Sequence, residues 1–357
     1  MARFGIEEEF VLLDEESLVP LALSTTAHAR VIGAHAGGRI SPEYLMCQLE
    51  TATAPLTTTA EAATQLRALR TRVAEHVSAE GGIAASTGTP LIAPSRVDLA
   101  PSEHYDVVAE LLGEITREHQ ANGLHIHVEV HDDEERVRAL NKVRAWLPAL
   151  LAYTGNSPFS HGRDSGFASW RSILIRRLST GWTPPRFEDF EDYRARVARF
   201  VDIGLIAEAS SLGWTVRLAE RYPTVEVRVF DAQLTVDETL VAAALTRALV
   251  LSDDIDPAPD IGLDAIDASL WTAARRGQGA RIVDPISGEG VPVAHVIARM
   301  HERVAPVLAH LGDDDLVAEG LARIRVDGTG AQRQLRARAE HGTAGVRELY
   351  RSSTASA

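Results

Sequence analysis

The sequence predicts a mixed α+β domain, and three observations carry that expectation. Strand-like segments of period two alternate irregularly with helical segments of period 3.6. The early strands lie close together, as in hairpins, and are not separated by regular crossover helices. From Val236 onward the pattern is helical almost throughout. No internal repeat, low-complexity tract or Pro/Ser-rich linker divides the 357 residues, so residues 1–357 are expected to form one domain.

Residues 4–13 (FGIEEEFVLL) read as the first strand. Alternation puts Phe4, Ile6, Phe10 and Leu12 on one face and Gly5, Glu7, Glu9 and Val11 on the other. Glu8 shares the apolar face, which places it near an end or edge of the sheet. Leu18 to Leu23 could return as a hairpin partner, and residues 33–38 read as loose and Gly-rich. A second strand is expected over 43–51, with Glu50 on the face of Tyr44, Met46 and Gln48, and with Glu43 in the loop before it. Residues 57–80 form the clearest helix. A threonine at 57–59 caps it, Glu61 lies in its first turn, and Leu66, Leu69, Val73 and Val77 make an apolar stripe. A short buried strand follows at 83–87, then a helix over 103–119.

Residues 122–130 (NGLHIHVEV) are a third strand, with His125, His127 and Glu129 on one face. A helix is expected over 134–153, a long polar loop over 155–172 and another helix over 187–205. The fourth strand, 224–230 (TVEVRVF), places Val225, Val227 and Val229 on one face and Glu226, Arg228 and Phe230 on the other. Five further helices are expected at 236–251, 264–276, 293–311, 313–325 and 332–350.

Composition narrows the function classes. The formal net charge of −14 argues against nucleic acid or an anionic membrane as partner. An anionic substrate must then be met by local arginines or cations. Lys142 is the one lysine, which excludes a phosphate-binding loop or catalytic lysine elsewhere. Cys47 is the one cysteine, so no disulfide forms within the chain. No apolar run is long enough to span a membrane, and the N-terminus lacks the pattern of a secretory signal, so a cytoplasmic location is expected.

Four strands each present polar groups on one face: Glu7 with Glu9, Glu50, His127 with His125, and Glu226 with Arg228. Taken singly, each is equally a solvated face or a pair of partly buried histidines. Together in one concavity they would bury several carboxylates, at a cost of several kcal/mol per ion unless cations neutralise them. An oxygen-rich set with imidazole favours Mg²⁺ or Mn²⁺ over Zn²⁺. Arg228 beside Glu226, with Arg163 and Arg171 from the Gly-rich loop, offers the positive charge that phosphoryl transfer requires. Cys47 reads as a packing residue, since the chemistry needs no thiol.

The segments 5–10 (GIEEEF), 123–128 (GLHIHV), 157–166 (SPFSHGRDSG) and 223–228 (PTVEVR), with the weaker 271–275 (WTAAR) and 328–334 (GTGAQRQ), resemble the carboxylate–amine ligases, or type 2 glutamate–cysteine ligases. The resemblance spans almost the whole chain in order. It implies a single catalytic domain of glutamine-synthetase-like fold, with a curved, mainly antiparallel sheet forming a half-barrel backed by helices. It implies ATP with Mg²⁺ (or Mn²⁺), small-molecule carboxylate and amine substrates, an acyl-phosphate intermediate, an amide product (γ-glutamyl) and a homodimer. Glu7, Glu9, Glu50, His127 and Glu226 would be metal ligands and Arg228, Arg171 and Arg163 catalytic, with Glu43, His125 and Arg217 on the substrate side. The chain departs from the pattern at Glu129, where a Gly is usual, at Thr215 after Trp214, where an Asp is usual, and at Leu218 after Arg217. These departures keep open another acid–amine pair in specialised biosynthesis. His-X-His among carboxylates keeps open a metal-dependent hydrolase.

Overall fold

A computed structural model describes residues 2–94, 97–258 and 261–355. The N-terminal part supplies β1 (Phe4–Asp14), α1 (Thr25–Val31), β2 (Gly33–His35), β3 (Gly38–Pro42), β4 (Gln48–Ala52), α2 (Thr59–Ala79) and β5 (Gly82–Ala85). Next come α3 (Glu103–Leu112), α4 (Ile115–Glu118), β6 (Gly123–Glu129), α5 (Asp133–Val143) and α6 (Leu147–Thr154). A small hairpin, β7 (Phe159–Ser160) and β8 (Arg163–Asp164), leads to α7 (Trp170–Ile175), α8 (Phe190–Asp202), β9 (Val216–Leu218) and β10 (Thr224–Asp231). The remainder is α9 (Val236–Leu251), α10 (Leu263–Arg276), β11 (Arg281–Val283), β12 (Gly290–Pro292), α11 (Val293–Leu311), α12 (Asp314–Asp327) and α13 (Gly330–Ala355).

The main sheet runs β2-β3-β4-β1-β6-β10-β9, with β5 paired to the end of β1, and every pairing is antiparallel. Its two ends stay unpaired with one another, so it is an open sheet. Residues 37–41 at one end and 219–222 at the other nevertheless line one cavity, so the sheet is curled. The convex face is dry. Ile6, Leu124, Ile126, Val128, Val225 and Val227 pack on α5, α6 and α9, while Phe10, Leu12, Ile40 and Leu49 pack on α2. Among the described residues no helix is long and apolar enough to cross a membrane.

The expected elements are largely present, with instructive exceptions. Thr58 and Glu61 close a capping box on α2, as its sequence foretells. The expected helix over 134–153 breaks at 144–146, because Pro148 has no N–H and its ring opposes the carbonyl four residues back. The helix over 103–119 divides at Gly113, which adopts positive φ. The second strand begins only at Gln48, so Glu43 does lie in the loop before it. The Gly-rich 33–38 stretch belongs to the β2–β3 hairpin, and the return at Leu18 to Leu23 is reduced to a single bridge, Leu13 to Pro20. Two strand expectations change, one of face and one of position in the sheet. A β-bulge between Val227 and Phe230 inserts one residue into β10, so Phe230 pairs with Leu124 and joins the valines in the core.

Glu8 is the second correction. It lies in the middle of the sheet, at neither an end nor an edge, and is fully buried. Its charge is answered by Arg70 of α2, equally buried, through Nε to Oε2 at 3.0 Å and Nη2 to Oε1 at 2.6 Å. Thr239 of α9 donates to the same carboxylate at 2.6 Å. Arg70 also donates to the Leu234 and Gln233 carbonyls, so one ion pair ties β1, α2 and the start of α9 together. Removing one partner strands the other's charge in the core, at about 3–5 kcal/mol. Glu8→Gln and Arg70→Met are each expected to lower the unfolding free energy in urea melts by that order, while any cation bound at the opposite face is expected to be unaffected by Glu8→Gln. Loss of cation binding without loss of stability would show that Glu8 faces the cavity.

Candidate active site

Strand pairing alone brings the polar groups into a row across the concave face. Ser41 of β3 sits opposite Glu50 of β4, and Glu50 opposite Glu9 of β1. Glu7 sits opposite His125 of β6, His127 opposite Glu226 of β10, and Glu226 opposite Arg217 of β9. Side chains directly opposite on one face of an antiparallel pair lie within mutual reach.

The contacts follow this register. Glu7 meets His125 Nδ1 at 3.2 Å and lies 3.5 Å from His127 Nε2, and Glu9 lies 3.5 Å from His125 Nε2. Glu9 also accepts the Gly123 backbone N–H at 2.6 Å. Thr224 fixes the other nitrogen of His127, Nδ1, at 3.0 Å. Glu226 is buried between two guanidiniums: Arg217 donates through Nε at 2.6 Å and Nη2 at 3.3 Å, and Arg228 donates to its Oε1. Arg228 Nη1 also lies 3.2 Å from His125 Nδ1. Ser41 donates to Glu50 at 3.3 Å.

The charges are unevenly answered. Burial works against ionised Glu226, yet Arg228 and then Arg217 hold its carboxyl well below the usual range. Burial likewise opposes ionised Glu7, and the neighbouring imidazoles of His125 and His127 bring it down. Glu50 is pushed well up by burial and by Glu7, Glu43 and Glu9. Burial and the nearby Glu9 push Glu43 up to about 8. His125 is held below its ordinary value by burial and then by Arg228, whereas Glu7 and Glu226 overcome burial and raise His127.

Three groups have ligand atoms within 4.8 Å of one another: Glu7, His127 and Glu226; Glu7, Glu50 and His125; and Glu9, Glu43 and Glu50. The Nε2 atoms of His125 and His127 are buried without a hydrogen-bond partner, each within 3.5 Å of a carboxylate oxygen. An imidazole lone pair among carboxylates, with no donor to satisfy it, fits a cation.

Of the residues singled out in the sequence, Glu7, Glu9, Glu43, Glu50, His125, His127, Arg217, Glu226 and Arg228 converge here. Arg171 arrives from α7: it is buried, and its guanidinium lies 3.4 Å from the Arg228 carbonyl. Arg163 is not brought in. It lies exposed on the β7–β8 hairpin, whose turn at His161 and Gly162 has positive φ. The Gly-rich stretch is therefore a folded surface hairpin followed by a helix, and only its helical end reaches the site.

Sequence reasoning missed Asp231. The β10 bulge carries it past the strand's alternation to a buried spot where it accepts from Asn156 N, Ser157 Oγ and Ser169 Oγ, each at 2.7 Å. Ser157 in turn accepts the Arg171 backbone N–H at 3.0 Å, so Asp231 positions Arg171. The available signal was the cluster of hydroxyl and amide donors at 156–169, which needs an acceptor. The two weaker motifs serve the same loop. Gln334 holds Asn156 Oδ1 at 2.6 Å, the Ala274 carbonyl accepts from Ala168 and Ser169, and Arg275 stacks on Phe167. The unusual Glu129 pairs with Arg3 at the rim, and the Thr215 carbonyl accepts the Arg228 backbone N–H at 2.8 Å.

Two cavities flank the row. One, of about 700 Å³, is bordered by Glu7, Glu50, His127 and Glu226 together with Arg39, Arg221 and Glu220. The other, of about 270 Å³, is bordered by Glu9, Glu43, His125, Arg171 and Arg228. Ser210 and Arg217 border both.

An open, curled antiparallel sheet with this constellation on its hollow face is the architecture of a carboxylate–amine ligase. The chain belongs to glutamate–cysteine ligase family 2, whose model matches residues 3–352. A protein of Mycobacterium sp. (strain KMS) that carries the provisional name glutamate–cysteine ligase 2-2 is 35 % identical over 339 residues, covering 92 % of each chain. One of Nocardia farcinica (strain IFM 10152), provisionally glutamate–cysteine ligase 2-1, is 36 % identical over 352 residues, covering 96 % of this chain and 90 % of its own. The glutamate–cysteine ligase of Francisella tularensis, solved in complex with AMP, matches with a TM-score of 0.74 at 13 % identity over 99 % of this chain and 88 % of that chain. A bifunctional glutathione synthetase from Pasteurella multocida matches with a TM-score of 0.74 at 15 % identity over 99 % of this chain, which spans 52 % of that enzyme. At such identities the structural likeness is one of fold. Family membership makes the protein an enzyme, an ATP-dependent ligase that forms an amide, and closes the hydrolase alternative.

The raised carboxyls generate a pH prediction. Glu43 holds its proton to about 8 in the folded chain, against 4.5 for an unperturbed glutamate, so its contribution to stability is present below 4.5 and lost as pH rises to about 8. A cation that binds these carboxylates must displace those protons. Mn²⁺ is therefore expected to raise Tm more at pH about 8 than at pH about 5, and to release protons when added at neutral pH. Equal Tm gains at both pH values would count against carboxylate ligation.

Proposed function

We propose that the row of carboxylates is the phosphoryl-transfer centre, with ATP in the larger cavity and the organic substrates in the smaller. The observation that carries this reading is the placement of Glu226, its two arginines and the histidine–carboxylate cluster where the two cavities meet. Glu7, His127 and Glu226 would hold a cation on the ATP side, and Glu9, Glu43 and Glu50 one on the substrate side. Mg²⁺ or Mn²⁺ held there supplies positive charge against the phosphates and the buried carboxylates.

In this reading Arg228 meets the transferring phosphoryl group and is held in place by Glu226 and by the Thr215 carbonyl. Arg171 backs it from below and adds positive potential. A carboxylate oxygen of the acid attacks the terminal phosphorus of ATP, the bond to the bridging oxygen breaks, and ADP leaves. The amine nitrogen then bonds to the acyl carbon as the acyl C–O bond breaks, releasing phosphate, and loses a proton to give the amide. The names of the relatives support glutamate as the acid and a γ-glutamyl product. Residues 1–357 act as one catalytic unit in this reading: β1, β3, β4, β6, β9 and β10 border the cavities, and helices such as α2, α5, α6 and α9 pack behind the sheet. The rim pair Arg3–Glu129 and Thr215 favour an acid–amine pair other than glutamate and cysteine as a second reading.

The test is ADP release with Mg²⁺, ATP, glutamate and a panel of amines. Arg228→Lys is expected to cut turnover at least 10²-fold while leaving the fold intact, because Arg217 still neutralises Glu226. Near-normal amide synthesis by this variant, with an unchanged melt, would remove Arg228 from the proposed centre.

A further inference from the structure

The smaller cavity is built unlike the rest of the concave face. Its inner wall is charged, with Glu9, Glu43, Arg171 and Arg228. Its outer wall is apolar, made by Val108, Leu111 and Leu112 of α3 together with Leu178, Leu205 and Ile206. All but Ile206 are left half-buried or exposed, and Leu111 is 42 % exposed. Large aliphatic side chains gathered on one side of a concave site, and not closed over by the chain itself, mark a surface that a ligand covers. Arg171 adds a second observation. It is only 5 % exposed, lines this cavity, and its Nε has no hydrogen-bond partner. Among the described residues its guanidinium bonds to the Arg228 carbonyl and to no carboxylate.

We infer that the amine substrate is an α-amino acid with an aliphatic or aromatic side chain, its carboxylate on Arg171 and its side chain against the α3 wall. The inference rests on the proposed function and specifies the second substrate of that site. The acid must place its carboxylate on the inner, charged wall next to Arg228. The amine attacks only after the acyl phosphate has formed, so it stacks on the outer side, where α3 supplies the apolar surface. In the second half-reaction the amino nitrogen forms the C–N bond, the acyl C–O bond breaks, phosphate leaves with that bond's electron pair, and one proton passes to solvent.

The experiment compares kcat/KM for alanine, cysteine, leucine, phenylalanine and isopentylamine, reading ADP release and product mass, with glutamate, aspartate and acetate as acids. Leucine or phenylalanine is expected to exceed alanine and cysteine at least about tenfold, the usual discrimination of an apolar pocket. Isopentylamine, which is leucine without its carboxylate, is expected to fall well below leucine. Leu112→Asn, with Val108→Asn as a second variant, is expected to bring the leucine-to-alanine ratio toward one. If alanine or cysteine is used as well as leucine while ADP is released, the assignment of this pocket is overturned and the ligase centre stands. If no acid–amine pair releases ADP, both the centre as proposed and the pocket fall.

Discussion

Charge neutralisation in a low-dielectric hollow governs this protein. Glu7, Glu9, Glu43, Glu50 and Glu226 are drawn together on one face, while Arg217 and Arg228 both pair with Glu226. The imbalance is visible in the groups themselves: the glutamate between the guanidiniums gives up its proton easily, whereas at Glu43 and Glu50 burial and the neighbouring carboxylates outweigh Arg228 and favour the protonated form. A hollow lined this way is stable only with protons or cations in it. In the proposed reading, divalent ions fill that role and, through them, phosphate is bound.

The scaffold's task is to keep this face from collapsing. On the convex side the sheet is sealed by α2, α5, α6 and α9, and the Glu8–Arg70 pair fixes β1 against two of those helices. β1 therefore carries three consecutive carboxylates with opposite assignments: Glu7 and Glu9 toward the hollow, Glu8 into the core. On the other side Asp231 and Gln334 fasten the 156–169 loop, which sets Arg171 under Arg228. Residues far from the chemistry thus position the groups nearest to it.

Much of this was legible in the sequence because it depends on period. Strand alternation paired Glu7 with Glu9, Glu226 with Arg228 and His125 with His127, and helical periodicity located α9 and α11 with the observed bounds. What was not legible depends on local breaks in period or on contacts across the fold. The bulge in β10 moved Phe230 into the core and Asp231 into a polar niche. Arg163 and Arg171 sit eight residues apart in one polar stretch, yet a surface hairpin turned one outward and a helix start turned the other in. Nothing in a strand's alternation told that Glu8 would find Arg70, sixty-two positions away.

By itself, then, the sequence determined the chemical inventory and its family: carboxylates, imidazoles and an arginine at two-residue spacing on separate strands, in an order that resembles carboxylate–amine ligases. Those facts are local, because alternation along a strand is fixed by backbone geometry. Only the tertiary structure decided which carboxylates cluster together and which meet arginine, that the polar row lies between a large polar cavity and a small half-apolar one, and that α3 walls the latter. Those facts depend on strand register and on helices packed from distant parts of the chain, which a single sequence leaves free.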